Sequence, residues 1–301
     1  MKPVAFADAI AAAISGALGT AFKATALAPV GGGCIHSAMR IEGVTAGAAR
    51  AFFLKADDPA HAAMFAAEAD GLQALRAAGA VAVPATIARG GDGERAWIVL
   101  EWLDLVPLDA AAAAALGEAL AAQHRVPQAR YGWPRDNFIG ATPQANGESD
   151  DWLAFWREKR LMAQLRIAAR NRLPSRIVDR GERLAADCEA FFRGHVPPKS
   201  LLHGDLWSGN ASAVEGAGPV AFDPAAYVGD READLAMTEL FGGFPPAFHA
   251  AYRAAWPLAD GYRVRRGFYN LYHLLNHANL FSGEYVARSA QAIEQLLAEI
   301  G

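Results

Sequence analysis

The stretch Leu201-Leu202-His203-Gly204-Asp205-Leu206-Trp207-Ser208-Gly209-Asn210 decides how the rest of this chain is read. Asp205 is followed five residues later by Asn210, and thirteen beyond that Asp223 ends the run Gly218-Pro219-Val220-Ala221-Phe222. Phosphoryl transfer from a nucleotide to a hydroxyl needs this layout. One carboxylate orients and deprotonates the acceptor, while an amide oxygen and a second carboxylate hold the magnesium that bridges the phosphates. Aspartate, glycine and asparagine are also ordinary turn residues, so His203-Gly204-Asp205 alone reads equally well as a loop. The spacing to Asn210 and Asp223 separates the two readings.

Upstream, Gly31-Gly32-Gly33-Cys34-Ile35-His36 follows a short strand predicted over Thr25 to Pro29. Consecutive glycines let a backbone approach a polyanion and turn amides toward it; a flexible turn between strands explains the same residues. The segment is neither G-x-G-x-x-G nor a P-loop. Met39 to Ile41 and Ala49 to Lys55 pattern as a hairpin, with its turn over Glu42 to Gly47. Lys55 reads either as a solvated strand end or as a phosphate contact. Glu68 favours the second, because it lies beside the buried stripe Met64, Phe65, Leu72 and Leu75 of a helix predicted from Pro59 to Ala78. A carboxylate near an apolar face wants a cation. Strands at Val81 to Ala88 and Ala96 to Trp102 complete a small sheet, and Glu101, Trp102 and Leu103 form a hinge whose backbone is placed to read an adenine edge.

Beyond the hinge the chain turns helical, with helices predicted over Leu108 to Arg125, Asp150 to Arg172, Ile177 to Phe192 and Asp230 to Leu240. Tyr131 to Asn146 reads as a long loop rich in aromatic and amide side chains. Asp230, Arg231, Glu232 and Asp234 are assigned to capping and ion pairing rather than catalysis. At the amino terminus, Phe6, Ile10, Ile14 and Leu18 recur at helical spacing while Asp8 interrupts any leader-like apolar core, which favours an amphipathic helix.

The 301 residues fit one large domain or two smaller ones sharing a cleft. A net charge of -4 leaves no basic footprint for nucleic acid or anionic membrane. No apolar run is long enough for a bilayer span. Two cysteines, Cys34 and Cys188, are too few for a disulfide framework, and a cytoplasmic setting is expected. Cys188 reads as a small core residue.

With Lys55, Glu68, Asp205, Asn210 and Asp223 in that order, the chain resembles the aminoglycoside-phosphotransferase type of protein-kinase-like fold. More closely, it resembles the fructosamine-kinase (ketosamine-3-kinase) family over nearly its whole length. LLHGDLWSGN at 201–210, FDPAAYVGDREADLAMTELFGGFP at 222–245, DNFIGATPQAN at 136–146 and LYHLLNHANLFSGEY at 271–285 carry that resemblance. It implies an α+β bilobal fold, with an antiparallel-sheet N-lobe over residues 1–102 and a larger helical C-lobe over 103–301. It implies ATP and Mg2+, with Asp205 as base and Asn210 and Asp223 on the metal. Lys55, steadied by Glu68, would contact the phosphates, Gly31 to Gly33 would cover them, and Glu101 to Leu103 would sit under adenine. The acceptor it implies is a ketosamine, free or on a protein lysine, phosphorylated at the 3-hydroxyl. Trp207 is then a wall for the sugar; core packing is its other reading.

Cys34 stands where a redox role has been suggested in the family, against a buried inert thiol. His203-Gly204-Asp205 lacks the protein-kinase arginine and no A-P-E segment follows, so activation-loop control is not expected. Other acceptors on the same fold are aminoglycosides, choline and homoserine. Tyr269, Tyr272, His273, Asn276, His277 and Asn279 suit a neutral sugar better than a polycation, which needs carboxylates. A nucleotide-binding pseudokinase is a further alternative, but the expected losses at Lys55, Asp205 or Asp223 are not seen.

Overall fold

A computed structural model describes residues 3–31 and 36–300. Gly32, Gly33 and Cys34 lie outside the described residues. Helix α1 (Pro3–Leu18) buries Phe6, Ile10 and Ile14 and leaves Leu18 exposed at its end. Five antiparallel strands follow: β1 (Phe22–Pro29), β2 (Ser37–Thr45), β3 (Ala48–Asp57), β4 (Thr86–Gly91) and β5 (Ala96–Glu101), in the order β1-β2-β3-β5-β4. Helix α2 (Ala62–Ala78) opens from a 3-10 turn at Pro59–His61 and closes on Gly79 in the left-handed region. Both faces of the sheet are covered. On β5, Trp97 and Val99 pack with α1 residues, while Ile98 and Leu100 pack with Phe65, Leu72 and Leu75 of α2. The period-two alternation of a strand thus serves two cores at once.

Two boundaries differ from the sequence reading. The β2–β3 hairpin turns in only two residues, Ala46 and Gly47, both at positive φ (48° and 82°). Gly43, read as part of the turn, instead sits inside β2, where a Cβ would meet the Lys23 carbonyl at 2.4 Å and the Phe22 ring at 2.5 Å. It is a close-approach glycine. The strand expected from Val81 begins only at Thr86, because Pro84 has no N–H for the ladder; Val81 and Val83 are buried all the same.

The C-terminal region starts with β6 (Leu105–Val106) and α3 (Ala110–His124), whose first turn is capped by Asp109 accepting from the Ala112 N–H at 2.7 Å. The segment expected as a loop, Tyr131 to Asn146, forms three short strands, β7 (Tyr131–Trp133), β8 (Asn137–Ile139) and β9 (Thr142–Gln144), and β10 (Gly147–Ser149) follows it. Its amide side chains are structural. Asn137 Nδ2 donates to the Ala226 carbonyl (2.8 Å), Gln144 and Asn146 donate to Asn137 Oδ1 (2.8 and 2.7 Å), and the fully buried Arg160 donates to Asn146 Oδ1 (2.8 Å). The helix expected over 150–172 runs as α4 (Trp152–Trp156), one π turn (Arg157–Leu161) and α5 (Met162–Arg170). Helix α6 (Ser175–Ala186) and a 3-10 turn (Cys188–Phe192) lead to β11 (Ser200–Leu202).

The hairpin β12 (Ala211–Val214) and β13 (Gly218–Ala221), strand β14 (Tyr227–Gly229) and helices α7 (Arg231–Leu240), α8 (Pro246–Ala255), α9 (Tyr262–Phe281) and α10 (Glu284–Ile300) complete the chain. The main C-terminal core gathers Trp152, Trp156, Leu165, Cys188, Phe268, Tyr269 and Leu275. Among the described residues, no helix is long and apolar enough to cross a membrane.

Candidate active site

Helix α2 rests directly on the catalytic segment. A Cβ added to Gly71 would touch Pro224 at 3.2 Å and Ala226 at 3.3 Å, and Asp70 pairs with Arg135 of the C-terminal region. That contact brings three groups together. Lys55 Nζ on β3 lies 2.7 Å from Glu68 Oε1 on α2 and 2.5 Å from Asp223 Oδ1. Burial alone would lower the Lys55 pKa, but the Glu68 and Asp223 carboxylates outweigh it and hold the ammonium above its ordinary value. Asp223 itself sits at φ +57°, an uncommon conformation for a side-chain-bearing residue, with its side chain 42% exposed.

The loop after β11 is fastened at four points. Gly204 has φ +82°, and a Cβ there would lie 2.1 Å from the Ala225 carbonyl, so no other residue fits. The backbone N–H groups of His203 and Gly204 donate to the two oxygens of Asp234 on α7 (2.7 and 2.8 Å). His203 Nε2 meets the Phe222 carbonyl at 3.0 Å. Burial keeps this imidazole neutral, so the Nε2–H donates and Nδ1 is left to accept from the Asp205 N–H at 3.4 Å. Asp205 is thereby held half-buried at the cleft. Burial first, and the neighbouring Asp223 charge second, push its carboxyl up to about 7 against the hydrogen bond from Asn210.

The 3-10 turn Ser208–Asn210 and the β12–β13 register, Ala211 opposite Ala221, set Asn210 beside Asp223. The Phe222 N–H donates to the Asn210 carbonyl at 3.0 Å. Asn210 Nδ2 donates to the Asp205 backbone carbonyl (2.8 Å) and Oδ2 (3.2 Å), which leaves Oδ1 as a ligand. With the accessible Asp223 carboxylate, that is a hard oxygen donor set, and it fits Mg2+.

At the hinge, Glu101 is exposed. Its N–H donates to the Ala85 carbonyl at 2.8 Å and its Oε2 accepts the Ala85 N–H at 3.1 Å, so its amide is already committed. Trp102 donates to Asp104 Oδ1 at 2.8 Å and carries the Arg40 guanidinium over its ring at 4.5 Å; Leu103 is half-buried. Gly31, the one described residue of the three glycines, is exposed.

Trp207 is 38% exposed, which rules out core packing. Its ring lies over Gly209, where a Cβ would come within 2.2 Å of it, and meets Phe241 edge-on at 6.4 Å. His277, Phe241 and Tyr285 continue this aromatic patch. The other polar residues expected at the acceptor are mostly core. Tyr269 donates to Asp230 (2.6 Å), Tyr272 donates to Gln144 (2.7 Å), Asn276 accepts from Gln164 (3.2 Å), and His273 is buried. Only His277 and Asn279 are partly accessible.

In the sequence Asp234 reads as a capping or ion-pairing carboxylate, and neither His203 nor His124 is given a positioning role. His124 Nε2 is 3.2 Å from Asp234 Oδ2, and its Nδ1 is 2.8 Å from the Tyr252 hydroxyl. The available signal was the placement of Asp234 among apolar neighbours Ala233, Leu235 and Ala236 of a buried helix.

Comparison with known proteins identifies the family. A family profile described as fructosamine kinase matches residues 6–299. The chain is 40% identical over 294 residues to a protein of Synechocystis named a probable ketoamine kinase, covering 96% of each. It is 36% identical over 286 residues to a chloroplastic protein-ribulosamine 3-kinase of rice, covering 93% of this chain and 81% of the other. A fructosamine-3-kinase candidate from Haemophilus somnus superposes with a TM-score of 0.87 at 28% identity, covering 96% of both chains. A looser likeness to an aminoglycoside phosphotransferase, with a TM-score of 0.55 at 16% identity, shows the shared protein-kinase-like fold. The chain belongs to the fructosamine kinase family.

Proposed function

We propose that this protein transfers the γ-phosphoryl group of ATP to the 3-hydroxyl of a ketosamine, free or on a protein lysine, destabilising the adduct so that the amine is released. The observation that carries the reading is the convergence of Asp205, Asn210 and the Lys55–Glu68–Asp223 cluster beside the exposed Trp207. In this reading residues 1–102 form the nucleotide-covering lobe, with Gly31 to Gly33 over the phosphates and the 101–103 hinge under adenine. Residues 103–301 form the catalytic lobe, and a cytoplasmic setting suits the use of ATP.

Asp205 accepts the proton of the sugar hydroxyl, and its pKa raised by burial makes it a better base than an exposed aspartate. Asn210 Oδ1 and Asp223 would hold Mg2+, which would supply charge neutralisation at the phosphates. Lys55 turns a permanent positive charge toward the same phosphates, and Glu68 fixes its direction. Trp207 offers an aromatic face to the sugar. A loose transition state asks for little beyond this positioning.

The test is a coupled assay with Mg-ATP over ribulosamine, erythrulosamine, fructosamine and an aminoglycoside panel. Turnover of at least one ketosamine is expected, with Asp205→Ala slower by about a thousandfold. Phosphorylation of an unrelated alcohol alone would remove the substrate assignment, and near wild-type turnover by Asp205→Ala would remove the mechanism.

A further inference from the structure

Two clusters of metal-ligating side chains among the described residues share no residue with the catalytic centre: His195 with Asp230 and Glu232, and His36 with Asp57 and His61. The first is already filled. Tyr269 and His195 both bond Asp230 Oδ2 (2.6 and 2.7 Å), and Arg265 takes both oxygens of Glu232 (2.7 and 2.9 Å).

The second is different. His36 Nδ1 and His61 Nδ1 point at the same carboxylate oxygen, Asp57 Oδ2, at 2.6 and 3.2 Å. The His61 nitrogen is buried within the cluster and has no hydrogen bond of good geometry, although the ring's outer edge is exposed. We propose that His36, Asp57 and His61 bind a borderline divalent cation of the zinc class, at a site separate from the magnesium ligands.

The placement is built in. The β2–β3 register pairs Ser37 with Ala56, so the next step along the ladder sets His36 opposite Asp57. His61 reaches the same point through a fixed turn, in which Asp58 Oδ1 accepts the Ala60 N–H and the Asp58 carbonyl accepts the His61 N–H, each at 2.9 Å. Asp57 Oδ1 is oriented by the Asp58 N–H at 2.7 Å, and the His36 ring packs on Phe65 at 4.9 Å. These are the outer contacts that hold ligands in place at metal sites.

Two imidazoles and a carboxylate with an open position form a three-ligand zinc-type set. Metal bonds of about 2.0–2.2 Å in tetrahedral array separate donor atoms by roughly 3.3–3.6 Å. The described atoms lie within 4.8 Å of one another, so the ring of His36 needs only a small swing away from Asp57. A bound ion would join the strand leaving the glycine segment to the turn that opens α2, the helix that carries Glu68. The inference does not depend on the acceptor.

The probe is Co2+ titrated into the full chain with Mg2+ in large excess, read by visible absorption, with Zn2+ as competitor. One equivalent of Co2+ is expected to give the intense bands of a four- or five-coordinate site, abolished by Zn2+. His61→Ala and Asp57→Asn should each weaken binding at least tenfold, with melting curves confirming that both fold. Asp223→Asn and Cys34→Ser should keep the bands, since neither the magnesium ligands nor a thiolate is their source. Absence of the bands in the wild type, their persistence in both His61→Ala and Asp57→Asn, or their loss in Asp223→Asn or Cys34→Ser would each overturn the proposal.

Discussion

Asp234→Asn preserves the shape of a buried side chain while removing one acceptor from the group that holds the catalytic loop. In the wild type, Oδ1 accepts the Gly204 N–H at 2.8 Å and Oδ2 accepts the His203 N–H at 2.7 Å, with His124 beside it. Burial would raise this carboxyl's pKa, but His124 and the loop amides outweigh it and keep the group ionised. An asparagine has a single oxygen, so in either orientation one backbone N–H faces an NH2 group. A buried donor left unsatisfied costs about 1–3 kcal/mol, and the surviving bond loses its charge assistance, worth about 1 kcal/mol more. The expected loss is therefore about 2–4 kcal/mol, seen as a lower urea midpoint at an unchanged slope. Turnover should fall further than stability suggests, since a displacement of about 1 Å at a reacting group costs on the order of a hundredfold. KM for ATP should hold, because Lys55 and Glu68 are positioned from β3 and α2. Stability within about 0.5 kcal/mol of wild type together with turnover within about twofold would refute the idea that Asp234 positions the loop.

Three other outcomes follow from buried groups. Lys55→Met strands the buried Glu68 carboxylate and should cost about 3–5 kcal/mol of stability; adding Glu68→Gln should recover part of it in urea unfolding while turnover stays lost. His273 is kept neutral by burial, which pulls its pKa down to about 3, so below its unfolded value of about 6.5 only the unfolded chain takes up the proton. Stability from this group is whole above that pH and is lost as pH falls toward 3, by about 1.4 kcal/mol per unit; His273→Gln should show a correspondingly shallower acid slope in urea unfolding between pH 7 and 5. Burial raises the Cys188 thiol to about 11, so in a Cys34→Ser background a thiol reagent such as DTNB should label nothing until the protein is denatured.

The groups proposed to form the active site were legible because their chemistry limits residue choice. Asp205, Asn210, Asp223, Lys55 and Glu68 each combine a demanding side chain with a strand, loop or helix position that patterning alone located. The errors have a common origin in residues whose types serve two purposes. Gly43 looked like turn chemistry and is a glycine forced by the Phe22 ring. Asn137, Gln144 and Asn146 looked like parts of a long loop and are a buried amide network. Tyr269, Tyr272, His273 and Asn276 looked like sugar contacts, yet α9 turns that face inward. Polarity in a sequence does not tell a ligand-facing group from a hydrogen-bonded core group; only the packing of the opposite helix does. Trp207 was open to two readings, sugar wall or core, and its exposure, with the ring lying over Gly209, removes the second.

The two carboxylates of the site are joined through the backbone of one residue, Phe222. The Phe222 N–H holds the carbonyl of Asn210, and the Phe222 carbonyl accepts from His203, whose other nitrogen receives the Asp205 N–H. Asp223 is the next residue, so the Asp205 loop, Asn210 and Asp223 share a single backbone clasp. Both contacts are made by main-chain atoms, and the side chain at 222 carries no trace of them. The burial of His203 matters for the same reason: only the neutral imidazole donates with one nitrogen and accepts with the other. A charged ring would donate from both and turn the contact with the Asp205 N–H from attraction to repulsion. The burial around the loop therefore selects the protonation state of the residue that ties the Asp205 loop to the segment carrying Asp223.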